Sequence, residues 1–381
     1  MPRWLYYFLA MAIVAPAIDL LWGSQQAALA IFVCATLALL PLAALIGRAT
    51  EDLEPHVGPI AGGLLNATFG NAPELIIGIF ALNAGLIKVV QASITGSIIS
   101  NSLLVLGSSL ALGGWHWGRQ YFNARDAGQY SAMLLLAVAG LLIPSTGALV
   151  IQDRGRLQAV SVAISCVLLV VYVLYLLAHV FRIHSERRNP KRLGKNTPPV
   201  PVEKDDDEFE ALIDQIDPHE EAKQKMPKLW FTLALLLLAT LGTAWNSELL
   251  VSTIIPVTKV LGWSPIFVGL VIIPIVGNAA EHSSALYIAL RDRVDLSMAI
   301  AAGSSIQVAS LVAPLLVILS MFFPHHMDLV FQPLELVVLG VAVLLFSIVS
   351  LDGQSSWLAG VQLMAIYVMA CIVFFFIPGP G

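Results

Sequence analysis

Two short segments of the chain carry the same polar residues at the same spacing: Gly70-Asn71-Ala72-Pro73-Glu74 and Gly277-Asn278-Ala279-Ala280-Glu281. The match runs without gaps at an offset of 207 residues, and Gly96-Ser97 pairs with Gly303-Ser304 at that same offset. In each copy an amide stands three residues before a carboxylate, so the two side chains share one face of a helix. Each copy opens on a glycine, and Pro73 leaves the carbonyl of Phe69 without its usual intrahelical donor. The stretch after each copy adds oxygens: Ser97, Ser100 and Asn101 after the first, Ser304 and Gln307 after the second. Carboxylates, amides, hydroxyls and freed carbonyls, with no sulfur and with imidazole (His282) only at the edge, form a donor set for a hard cation. A flexible shell of six to eight oxygens points to calcium ahead of magnesium, with manganese left open.

The elements that must position these groups are membrane helices. Of 381 residues, 58% are hydrophobic and 12% charged, and residues 182–228 hold 21 of the 45 Lys, Arg, Asp and Glu. The remainder cannot cover itself with water-facing side chains, which excludes a soluble enzyme. Apolar runs long enough to cross a bilayer, about 20 residues each, fall near 5–22, 27–48, 58–84, 89–113, 128–150 and 157–182. After the charged segment come 229–261, 265–290, 294–323, 331–351 and 357–378. The second half of 229–261 carries Glu248, Pro256 and Lys259, which leaves open one long tilted helix or a span followed by an interfacial piece. Five spans separate the starts of the two copies, so the copies run through the bilayer in opposite directions. This arrangement places a site near the midplane, at the interface of the repeats. The expected fold is an all-α polytopic membrane protein of about eleven transmembrane helices. It divides into a first helix (1–22), repeat 1 (23–182), a cytoplasmic linker (183–228) and repeat 2 (229–381).

With the N-terminus inside, 16 of the 20 Lys and Arg fall on the inner side, the orientation the positive-inside rule favours. The linker is basic from Arg182 to Lys195. Beyond Pro198-Pro199-Val200-Pro201 it turns acidic, and Phe209, Leu212, Ile213 and Ile216 there predict a short amphipathic helix within 203–221. The three cysteines lie in apolar runs and suggest no disulfide. The net charge of −5 is small, and the charge-rich linker is itself nearly balanced, with 10 Lys and Arg against 11 Asp and Glu, which gives no reason to expect a nucleic-acid partner. Neither a nucleophile–base pair nor an HExxH sequence accompanies the glutamates, so no enzyme and no cofactor are expected. The short loops and the lack of a targeting segment favour a bacterial inner membrane, with assembly into a homo-oligomer left open.

Charge suggests the mechanism. An ionised glutamate deep in a bilayer is costly and faces a partner or a watery cavity. No Lys or Arg stands inside the spans that carry Glu74 and Glu281, and two carboxylates neutralise one divalent cation. Once the cation leaves, two bare anions in low dielectric call for protons. A site filled by metal or by protons, but never charged and empty, exchanges one for the other. The pair titrates as a unit, so no value belongs to one residue alone. His282, next in sequence to Glu281, has the chemistry of a proton relay.

The two motifs, GNAPEL and GNAAEH, the Gly-Ser helices after each, the eleven spans and the acidic middle segment resemble the calcium/proton exchanger family of the cation/calcium exchanger superfamily. The resemblance covers nearly the whole chain. It implies two inverted five-helix bundles behind an extra first helix, with Glu74, Glu281, Asn71 and Asn278 coordinating calcium. It further implies that Ser97, Ser304 and Gln307 line the ion path and that 27–48 and 229–261 tilt as gates. The resulting expectation is a secondary antiporter that exports cytosolic calcium against protons by alternating access. Sodium/calcium exchange and manganese/proton exchange are the alternatives on the same fold. Sodium coupling is disfavoured because Ala72 and Ala279 stand where sodium-coupled relatives place hydroxyls.

Overall fold

The computed structural model describes residues 3–57, 65, 68–188 and 228–377. A 3-10 turn at Arg3–Ala10 leads into α1 (Met11–Trp22), followed by α2 (Ala28–Val57), α3 (Ala72–Asn83) and α4 (Ile87–Trp117). Next come α5 (Ala124–Gly147), α6 (Arg154–Arg188), α7 (Leu229–Leu261), α8 (Pro265–Gly277) and α9 (Ala279–Ala289). The chain ends with α10 (Val294–Ser320), α11 (Pro333–Leu351) and α12 (Trp357–Phe375). The protein is thus an all-α multi-pass membrane protein. Among the described residues eight helices are long and apolar enough to span alone, and α8 with α9, bent by 59° between them, forms a broken span or a re-entrant loop. Two shorter apolar helices, Tyr7–Trp22 and Ala72–Asn83, add to these. Most of 58–67, expected to complete the span of α3, lies outside the described residues, as does the acidic stretch 203–221.

The expected span 229–261 is one continuous helix that runs through Pro256, with Glu248 exposed on its surface. It packs along α2, and these are the two longest helices that face each other. At the centre stand α4 and α10, with 89% and 67% of their most apolar windows buried, against 22% for α6 at the rim. The rim helices turn apolar side chains outward, such as Val170 and Leu174 on α6 and Leu237 and Leu238 on α7, which is the surface lipid requires.

The loops gather on two faces. On one, the turn after α3 and the α10–α11 loop meet: Gln91 donates to the Asp328 carbonyl, and Ser145 and Ser161 bond Leu329. On the other, Trp117 and Gln120 bond the carbonyls of Leu290 and Ala289. There a two-residue antiparallel ladder, β1 (Gln120–Tyr121) with β2 (Gln354–Ser355), ties two loops together. These faces lie at opposite ends of α10, whose 27 residues span about 40 Å. The turn that follows Glu74 is therefore on one face and the turn that follows Glu281 on the other. The two copies do run in opposite directions.

The repeat also shows in backbone detail. Asn71 (φ −102°, ψ 21°) and Asn278 (φ −94°, ψ 17°) hold nearly the same off-helix conformation before α3 and α9. Both central helices loosen into a π turn at matching positions, Ser100–Val105 and Val308–Val312.

Candidate ion site between the two repeats

Both glutamates occupy the third position of a helix that starts at a break, Glu74 on α3 and Glu281 on α9. In that first turn the positive end of the helix dipole favours an anion. Glu74 is buried, at 7% exposure, and lies against the break of the other repeat: a Cβ on Gly277 would stand 2.7 Å from its Oε1 and 3.1 Å from its Cδ. Glu281 lies close enough for its charge to act on Glu74.

Amides and hydroxyls close the site by bonding from one repeat to the other. Asn71 donates its Nδ2 to Gln307 Oε1 on α10 at 2.5 Å. Asn101 Nδ2 donates to Ser304 Oγ at 2.9 Å, Ser304 Oγ to Asn278 Oδ1 at 3.3 Å, and Asn278 Nδ2 to Ser97 Oγ at 3.2 Å. Donor hydrogens are consumed by this chain while acceptor oxygens are left over. Glu74 Oε1 and Oε2, Glu281 Oε2, Asn71 Oδ1 and Asn101 Oδ1 are all buried and accept no hydrogen bond from the protein. Buried polar atoms nearly always have a partner, and these five acceptor oxygens, two of them on one carboxylate, form an arrangement able to take up positive charge.

Most of the residues singled out in the sequence meet here: Glu74, Glu281, Asn71, Asn278, Ser97, Asn101, Ser304 and Gln307, with Gly70 and Gly277 at the breaks. Ser100 does not join them. It matches Gln307 in the repeat, but its short hydroxyl turns back to the Ser97 carbonyl at 3.4 Å, and Asn278 takes Ser97 instead. His282 points away. It lines an apolar cavity of about 320 Å³ with Leu40, Leu104, Ala279 and Leu286, and neither glutamate lines that cavity. Its buried Nε2 has no hydrogen-bond partner. One acidic group absent from the motif reading emerges on α11. Glu335 is 1% exposed, and the only sign of it in the sequence was a carboxylate inside a predicted span.

The chain matches the sodium/calcium exchanger protein family over residues 27–181 and 231–376. It is 42% identical over 350 residues to a Ca(2+)/H(+) antiporter of Aphanothece halophytica, covering 91% of this chain and 90% of that one. With the Ca(2+)/H(+) antiporter ChaA of Bacillus subtilis it shares 39% identity over 378 residues, or 98% and 99% of the two chains. The solved structure of native YfkE superposes with a TM-score of 0.79 at 35% identity, covering 98% of this chain and all of that one. The inverted repeat, the paired carboxylates and these likenesses agree: the chain belongs to the sodium/calcium exchanger family, among its calcium/proton antiporters.

Proposed function

We propose that the protein exports cytosolic calcium in exchange for protons by alternating access, with Glu74 and Glu281 near the bilayer midplane binding one calcium ion or protons in competition. The five unpartnered oxygens at the repeat interface carry this reading. With calcium bound, two negative charges meet two positive ones. As it leaves, the low dielectric that makes bare anions costly favours protonation. Asn71 and Asn278 serve as neutral ligands, held in orientation by Gln307 and Ser97. The paired helices α2 and α7 act as gates: they lie side by side and flank α3 and α9. The orientation has the N-terminus and the 183–228 linker in the cytoplasm, in a bacterial inner membrane, by the distribution of Lys and Arg.

The test is purified protein in liposomes under an imposed pH gradient, with calcium and internal pH followed together. Opposed calcium and proton fluxes that ignore sodium support the reading. Calcium flux that follows a sodium gradient and ignores the proton gradient overturns it. Replacing calcium with manganese in the same assay settles the choice of metal.

A further inference from the structure

Among the described residues, one more carboxylate is buried away from the candidate ion site. Glu335 lies in the first turn of α11, where the helix dipole eases its charge. No cation touches it, since the ion pairs within 4 Å among the described residues are Arg48–Asp52 and Arg156–Asp153. An ionisable group held in a membrane bundle without a cationic partner is a functional candidate in its own right.

The surroundings fit a group that gains and loses a proton. Thr95 Oγ1 on α4 lies 3.1 Å from Glu335 Oε2 and 3.2 Å from the carbonyls of both Gln91 and Ala92. One hydroxyl hydrogen thus has two kinds of acceptor. It can donate to an ionised Glu335, or turn to a carbonyl and let a protonated Glu335 donate to the threonine oxygen. Gln91, one turn before Thr95 on α4, carries polar contacts on toward one face of the protein. Gln91, buried, donates to the carbonyl and the carboxylate of Asp328 at 3.0 and 3.1 Å, and exposed Lys88 donates to Gln91 Oε1 at 3.1 Å. The charged and titratable groups around Glu335 are few. Helix α4 brings Lys88, whose charge acts on it, the α10–α11 loop brings Asp328, and α12 brings Cys371, which packs with Leu334 and Val338. The half of α5 that packs there, residues 134–147, carries none.

Thr95 and Ser97 are two positions apart and so point to opposite sides of α4, which leaves Glu335 without a hydrogen-bonded route to the cation. The link is mechanical. At Gly96, between them, α4 meets α8 so closely that a Cβ would sit 2.2 Å from the Leu270 carbonyl. A shift of α4 therefore carries along both Ser97 and the helix that ends at Gly277. We propose that Glu335 is a third carboxylate that binds a proton during exchange, reached from the face bearing Lys88 and Asp328 and acting on the cation site through α4. This rests on the calcium/proton reading above.

The test compares proton-driven calcium uptake with calcium-for-calcium exchange, which moves no net protons, in liposomes holding the full chain or its E335Q variant. A proton-binding role predicts that E335Q slows proton-driven uptake about tenfold or more and flattens its pH profile, with calcium-for-calcium exchange changed less than about twofold. Equal losses in both modes mean a structural role and overturn the proposal, as does no loss in either. If E335Q does not fold, T95V decides: it keeps the carboxylate and removes the hydroxyl. A pH midpoint that matches wild type overturns the proposal, and a displaced one with calcium-for-calcium exchange preserved supports it. Wild-type protein without proton-driven uptake would refute the antiporter reading itself, a separate failure.

Discussion

Gly277→Ala is the most direct way to ask whether each repeat's carboxylate is positioned by the other repeat. The backbone of Gly277 has an ordinary helical conformation, so alanine fits it and only space is at issue. The new methyl would lie 2.7 Å from Glu74 Oε1, 3.1 Å from Cδ and 3.4 Å from Cγ. Relaxed contacts between heavy atoms begin near 3.5 Å, so the carboxylate must retreat by about 0.8 Å. A misplacement near 1 Å costs roughly 100-fold where geometry governs rate. We therefore expect proton-driven calcium uptake to fall between about 10- and 100-fold, or about 1.4 to 2.8 kcal/mol, with the protein still folded. The assay is initial uptake rate against calcium concentration in liposomes. Glu74→Asp, which shortens the side chain, is then added to the alanine background. The two changes should couple, the pair being less harmful than the sum of the singles. Uptake by G277A within about twofold of wild type, or strict additivity with E74D, would refute the placement of Glu74 against the opposite break.

Three further outcomes follow from the same geometry. Glu74→Gln and Glu281→Gln should each abolish exchange while gel filtration and thermal melting stay close to wild type, since each removes a charge without removing volume; retained transport in both would remove the pair from the site. Gly96→Ala should destabilise the protein by more than about 1 kcal/mol through overpacking against the Leu270 carbonyl, whereas Gly303→Ala, with nothing within 4 Å of its new methyl, should melt like wild type; equal melting temperatures would contradict that packing. Because protons compete with calcium for the pair, lowering pH takes the site from two negative charges toward none. Calcium affinity measured by titration calorimetry should then weaken as pH falls, by up to about tenfold per pH unit for each proton bound, and a flat pH series would contradict shared occupancy.

The paired motifs were legible in the sequence because their value lay in polar identities that apolar composition cannot produce by chance. Asn71 with Glu74 and Asn278 with Glu281, set in runs of Leu, Ile, Val and Ala, disclosed the repeat, its inversion and most of the site. Which partner each amide would take was hidden, because it depends on side-chain reach across the interface. Gln307 spans to Asn71, whereas the matched Ser100 is too short and Asn278 settles on Ser97. The π turns at Ser100–Val105 and Val308–Val312 have no residue signature, since they come from how two crossing helices accommodate each other. Proline and charge in 229–261 left one long helix and a span with an interfacial piece both open, and the structure has the long continuous helix, packed along α2. The turn of about 100° that one step along a helix gives His282 relative to Glu281 follows from helix geometry alone, but the cavity it lines with Leu40 and Leu104 comes from the packing of other helices. Glu335 belongs to neither motif and carries no signal in the sequence beyond its place in an apolar run; its burial against Thr95 of α4 shows only in the fold.

The contact between Glu74 and Gly277 also has a consequence in time. A ribosome adding about 5 to 20 residues per second needs roughly 10 to 40 s to make the 207 residues from one motif to the other. During that interval Glu74 has entered the membrane, and the glycine, asparagine and serine that will enclose it have not been synthesised. The first half of the protein must therefore wait with an acidic side chain directed at lipid, at the insertion machinery or at another helix, in its uncharged form. Biogenesis of this chain thus carries a period of exposure that ends only when the second repeat docks. A slowed or truncated second half would leave the first as a substrate for membrane quality control.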